Sequence, residues 1–186
     1  MMTADKKEVQ FLAGPMHGSP TLIDKDKGAI FGVKVVSIGE AKGHGVMLEE
    51  SFLDDVVKMG NAKGNAGVQS RYGHPNRYDS ALGSFAGRVK NFRKSGQSVF
   101  GDMFVSQAAK DSPKGDLYSY IFSMAENDPD AFGLSIAFFY GDFYQYVDGE
   151  VLRFSEQEDA NPDIPLYASC GQLDYCDIVA TPAAND

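Results

Sequence analysis

Residues 133–154 read GLSIAFFYGDFYQYVDGEVLRF, and this stretch decides the fold class. Asp148-Gly149 suits the two left-handed positions of a tight hairpin turn, and the flanking segments 133–147 and 151–154 are rich in aromatic and branched residues. They read as two antiparallel strands. Period-2 alternation puts Leu134, Ile136 and Phe138 on one face of the first strand. Ser135 shares the opposite face with Gly133 and Ala137, small neighbours that leave room for another chain to lie against a hydroxyl.

Further strands lie to either side. Ile30, Val33, Val35, Val36 and Ile38 suggest a buried strand over 29–38. Segments 82–92 and 99–106 read as a second hairpin joined by Lys94-Ser95-Gly96-Gln97. Residues 173–180 form a last strand, after an acidic, proline-containing loop over 155–165. Two helices interrupt them. One spans 51–59, with Ser51 as its cap, Asp54 three residues on and Gly60 just past its end. The other runs from Ser112-Pro113 to about Glu126, with Leu117, Ile121 and Met124 on one stripe and Asn127-Asp128-Pro129 as its stop. Residues 61–69 (NAKGNAGVQ) read as an exposed loop. Many strands and two helices predict an α+β domain, mainly antiparallel, built as a small β-barrel flanked by helices. The breakers in 1–28 mark that segment as an extended N-terminal arm with one short strand, leaving 29–186 as the domain.

Composition limits the function. The 186 residues carry 26 Asp+Glu against 17 Lys+Arg, a formal charge of −9. Such a surface repels phosphate backbones and anionic lipid, so neither nucleic acid nor membrane is an expected partner. The charged N-terminus is unlike a signal peptide, and the longest apolar run, 134–140, is far short of a membrane span. Cys170 and Cys176 form neither a disulfide framework nor a zinc spacing, which fits a reducing cytoplasm. The three histidines, His17, His44 and His74, lack metal-site spacing, so no metal or cofactor is expected.

His74 stands in Arg71-Tyr72-Gly73-His74-Pro75-Asn76, between a loop and a strand, where a general base can face a cleft. Ser135 is the partner nucleophile. It is not a Gly-x-Ser-x-Gly elbow, because position 137 is Ala and a strand follows. Cys170 and Cys176 are rival nucleophiles. Asp174 and Asp177 lie in or beside an apolar strand, where a carboxylate is costly without a partner. Asp177 shares its face with Tyr175 and Val179.

The order of these pieces resembles the tailed-phage prohead proteases. It runs from His74 to Gly83-Ser84-Phe85-Ala86-Gly87-Arg88-Val89, then Gly101-Asp102-Met103-Phe104, a helix, Gly133-Leu134-Ser135-Ile136, and finally Asp177-Ile178-Val179 before Pro182-Ala183. These capsid-maturation serine proteases are related in fold to the herpesvirus assemblins. The resemblance covers residues 30–186. It implies an assemblin-like barrel, His74 as general base, Ser135 as nucleophile, and action inside the assembling prohead in the host bacterial cytoplasm. It also implies scaffolding protein and major capsid protein as substrates, the protease itself as another, and homodimerisation. Relatives place a glutamate where this chain has Tyr175, so the third member stays open between Asp177, the first choice, Asp174 and His44. Oxyanion donors are sought near Gly87 or Gly133. Relatives often continue past Pro-Ala into a scaffolding region, which implies separate scaffolding or its removal here. The alternative is a non-catalytic capsid assembly module that kept the fold.

Overall fold

A computed structural model describes residues 22–41, 44–73, 81–131 and 133–179, together with the backbone of 10–15. His17, His74, Phe132 and Pro182-Ala183 lie outside the described residues. Strands are β1 (Gln10–Pro15), β2 (Leu22–Asp24), β3 (Ala29–Ser37), β4 (Gly39–Ala41), β5 (Val46–Leu48), β6 (Val68–Arg71), β7 (Phe85–Ser95), β8 (Ser98–Val105), β9 (Gly133–Val147), β10 (Glu150–Phe154) and β11 (Tyr167–Val179). Two helices, α1 (Glu50–Ala62) and α2 (Leu117–Asn127), complete the frame. No helix among the described residues is long and apolar enough to cross a membrane.

All eleven strands join one mixed sheet with the order β1-β9-β11-β6-β7-β8-β3-β2. Most pairs are antiparallel, but β11 runs parallel to both β5 and β6. The sheet curls until β3 packs on β1 and β9. The expected barrel is not closed, however, because among the described residues no backbone ladder joins those strands. The N-terminal segment supplies two strands where the sequence suggested one, with β1 laid on the first half of β9 and β2 paired with β3.

The β9–β10 turn has the geometry its sequence demands: Asp148 and Gly149 take φ of 51° and 85°, both left-handed. Curvature elsewhere comes from bulges. Asp102 of β8 accepts hydrogen bonds from Gly32 N–H at 3.0 Å, Asn91 Nδ2 at 2.9 Å and Arg93 Nη1 at 2.9 Å. These donors stand at the register shifts of β3 and β7, so one carboxylate clamps both bulges.

Helix α1 differs from expectation at both ends. Ser51 is not its cap; the side chain bonds to Glu49 and to the Tyr144 hydroxyl instead, and the helix starts at Glu50. At the other end Gly60 does not stop the helix but lies inside it. A Cβ there would come within 2.4 Å of the Phe92 ring, so glycine is required for the close approach of β7 rather than for termination. Asn61 then bonds both backbone groups of Phe92, at 2.8 and 3.0 Å. The expected loop over 61–69 is correspondingly short: a 3-10 turn at 64–66 and then β6. Helix α2 likewise begins later than expected. Asp116, not Ser112, caps it by accepting from Ser119 N–H at 2.9 Å.

Phe52 of α1 meets Phe138 edge-to-face at 5.2 Å, so α1 covers the Leu134–Ile136–Phe138 side of β9. That side belongs to the main apolar core, and Ser135 faces away from it.

Candidate functional site

The register of the sheet assembles a transverse row of polar groups. Ser135 of β9 pairs directly with Asp177 of β11, and Asp177 meets Arg71 at the end of β6. Paired residues on neighbouring strands point to one face, with Cβ atoms about 5 Å apart. Ala137, Tyr175 and Gln69 form the next row of the same face. The register of β9 and β11 therefore places Ser135 and Asp177 on one face of the sheet.

Asp177 is fully buried and Arg71 is 8% exposed. Arg71 donates from Nε to Oδ1 at 2.8 Å and from Nη2 to Oδ2 at 2.5 Å, and its backbone N–H reaches Oδ1 at 3.2 Å. This bidentate fork neutralises a carboxylate that burial would otherwise penalise. The guanidinium carbon lies 3.5 Å from the centroid of the Tyr175 ring, so it is held flat from below. Beyond Arg71 the chain remains tied to β11. Gly73 N–H donates to the Ile178 carbonyl at 2.7 Å, and Tyr72 N–H to the Ser84 carbonyl at 2.7 Å. Gly73 takes a φ of 76°, a left-handed turn that suits glycine, immediately before His74.

Ser135 is 1% exposed, and its Oγ has no hydrogen-bond partner among the described residues. A buried hydroxyl without a partner costs on the order of 1–3 kcal/mol, so its retention calls for an explanation. Ser70, Ser84 and Tyr140 are similarly unpaired. Only Ser135 stands in register with a buried carboxylate.

The remaining candidates fall elsewhere. Asp174 sits at a register shift of β11, accepts from Gln172 Nε2 at 2.6 Å, and lines a cavity of about 310 Å³ with Lys63, Arg88 and Tyr175. His44 lies in the turn before β5, near where Met47 pairs with Tyr167. Tyr167 is ten residues from Asp177 along β11, so His44 is about 30 Å from the Ser135 row. A larger cleft, about 580 Å³ between β4–β5 and residues 157–166, also lies at that distant end. Both thiols are buried. Burial, helped by the negative charge of Asp55, pushes the Cys170 thiol up to about 12, and burial beside Asp177 raises that of Cys176 well above its usual range. Both shifts hold the thiols in their less nucleophilic protonated form, which weighs against the cysteine alternative. Gly87 is also accounted for structurally, since a Cβ there would lie 2.1 Å from the Phe104 carbonyl oxygen.

Arg71 escaped the sequence reading, although Asp177 had signalled the need for a partner. A carboxylate in an apolar strand calls for a cation, and Arg71 was the one cation in the short segment preceding His74.

No protein-family model and no curated protein matches the chain. Among solved structures it is similar to the bacteriophage T4 capsid assembly protease, with 13% sequence identity and a TM-score of 0.49 over 94% of this chain and 92% of that one.

Proposed function

We propose that this chain is a serine-type endopeptidase of phage head maturation, cleaving scaffolding protein, the major capsid protein and itself. The order of the sequence motifs supports the reading. The observation that carries it is the Ser135 hydroxyl, partnerless among the described residues and in register with the buried Asp177, which Arg71 engages through its fork. Gly73, the residue before His74 in the sequence, is tied to β11 beside Asp177.

In this mechanism the His74 imidazole takes the proton of Ser135 Oγ as the oxygen attacks the scissile carbonyl. Backbone N–H groups hold the resulting oxyanion. Collapse breaks the C–N bond, and the imidazolium returns its proton to the departing amine. Water then attacks the acyl-enzyme with His74 again as base, releasing the acid and restoring the serine. Asp177, which accepts three hydrogen bonds from Arg71, is assigned the task of holding the imidazole tautomer.

The deep burial of Ser135 also favours a second reading, a non-catalytic assembly module in which the row is purely structural. The test is labelling of the full chain by a fluorophosphonate, mapped by mass spectrometry, alongside co-expression with scaffolding protein. We expect Ser135 to be labelled and scaffold to be cut, with both lost in Ser135→Ala and reduced by about 10³-fold or more in His74→Ala. An unlabelled wild-type chain that leaves scaffold intact would establish the assembly module instead.

A further inference from the structure

Arg71 shares its row with Ser135 and Asp177, yet a Ser-His-Asp mechanism assigns no task to a cation there. Its geometry is more exacting than charge neutralisation needs. One guanidinium edge, Nε with Nη2, engages both carboxylate oxygens, and the Arg71 backbone N–H adds a third bond, to Oδ1. The planar group lies on the Tyr175 ring at 3.5 Å, and Tyr175 stands one row further along the same face. A lysine would supply the charge, but neither the fork nor the stack. Nor does stability alone account for the pair, because a buried ion pair is often no better than apolar residues of equal volume.

The fork also fixes where β6 ends. Arg71 is the last residue of that strand, and the next two residues stay on β11 through the Tyr72–Ile178 bridge and the Gly73 bond to Ile178. One side chain thus sets the orientation of Asp177 from the end of β6.

We propose that Arg71 is a positioning residue of the Ser135 site: clamped against Tyr175, it locks the Asp177 side chain in one orientation beside Ser135. The proposal rests on the protease reading above. Arg71 acts through Asp177 and does not touch the reacting atoms. Its positive charge also offsets the negative field of Asp177 at the base that serves Ser135. Among the described residues the other ionisable groups nearby are the Tyr175 hydroxyl, Asp174, Lys63 and Arg88 around the cavity beyond Tyr175, and the Cys176 thiol, which burial pushes well above its usual range. None of them forms part of the fork.

The test measures the rate of fluorophosphonate labelling of Ser135 in the intact chain between pH 5 and 9, for wild type, Arg71→Gln and Arg71→Lys. With Arg71→Gln the unneutralised carboxylate holds the proton on the base more tightly, so the acid limb of the rate profile moves up by about one unit. Well below the limb this reads as labelling about tenfold slower at equal pH. Arg71→Lys keeps the charge, so its limb stays in place while the rate above the limb falls about tenfold through loss of the fork. A merely structural Arg71 would lower rates without moving the limb. A folded Arg71→Gln chain with an unmoved limb therefore overturns the proposal while leaving the protease reading intact. If Arg71→Gln does not fold, Arg71→Lys decides, with its melting temperature measured beside the rate: an unchanged rate, or a rate that falls together with stability, overturns the proposal, and a reduced rate at wild-type stability supports it. A wild-type chain that is never labelled removes the protease reading, and the proposal falls with it.

Discussion

Replacing Asp177 by asparagine separates the structural worth of the Ser135 row from its chemistry. The substitution keeps shape and removes one charge. At present three donors converge on the Asp177 carboxylate, within 2.5 to 3.2 Å, and the site is fully buried. An asparagine keeps one oxygen, which can still serve Nε and the backbone N–H, but it turns its amide NH2 toward the Nη2 of Arg71. Donor then faces donor, and a guanidinium that is 8% exposed has lost its counter-charge. Breaking a buried pair from one side costs about 3–5 kcal/mol. Because Arg71 keeps a narrow opening to solvent, we expect the lower end, about 3 kcal/mol. For a chain of this size that lowers Tm by about 6–12 °C. Thermal unfolding followed by circular dichroism measures it. The apolar double variant Arg71→Met/Asp177→Leu, which leaves no stranded charge, is expected to be more stable than Asp177→Asn alone. A Tm within about 2 °C of wild type for Asp177→Asn, or a double variant destabilised by the plain sum of the two single changes, would refute the account of a desolvated, mutually dependent pair.

Two further outcomes follow from the packing. Gly60→Ala gains about 1 kcal/mol of helix propensity. It also drives a methyl to 2.4 Å from a Phe92 ring whose backbone is tethered on both sides by Asn61, so overpacking of about 1–3 kcal/mol should prevail. The urea midpoint is expected to fall, and a rise would contradict the close-approach argument. In the folded chain at pH 8, iodoacetamide should modify neither Cys170 nor Cys176, since burial holds Cys170 up to about 12 and Cys176 well above its usual range; both should react in guanidinium chloride. Alkylation of either thiol in the native state, read by intact mass, would reopen the cysteine alternative.

Much of this architecture is legible in the sequence where local signals and tertiary environment agree. The Asp148-Gly149 turn, the strand alternation around Ser135 and the Lys94–Gln97 connection each announce themselves within a few residues; the strands around Asp148-Gly149 lie where expected, whereas β7 is shifted by three residues, with a 3-10 turn at 81–84 before it and Lys94 and Ser95 inside it. Strand β6 does not announce itself. Val68 is its sole strongly apolar residue, and its four residues belong to the sheet because β7 and β11 flank them on both sides. The three-residue strands β4 and β5 are too short to show a period. Gly60 misled for a related reason: glycine after an apolar run commonly ends a helix, and only the distant ring of Phe92 reveals its actual use. At the site, alternation gave Ser135 and Asp177 each a face on its own strand, but neither their common face nor their direct pairing could be read from it. Register between strands more than forty residues apart is set by the β9–β11 bulges, which have no sequence mark. Arg71 was hidden for the same reason.

Ser135 occupies the interior of a sheet, with β1 bonded along one side of its strand and β11 along the other. Both in-plane approaches are thus taken by the protein's own backbone, so a reagent can come only from above, across the strands. An edge-docked peptide, zipped on as an extra strand, would never reach the hydroxyl. Any polypeptide that does react must be slack enough to drape over that surface. Timing would then be governed by when a target segment comes loose from its own fold, with its sequence a secondary filter.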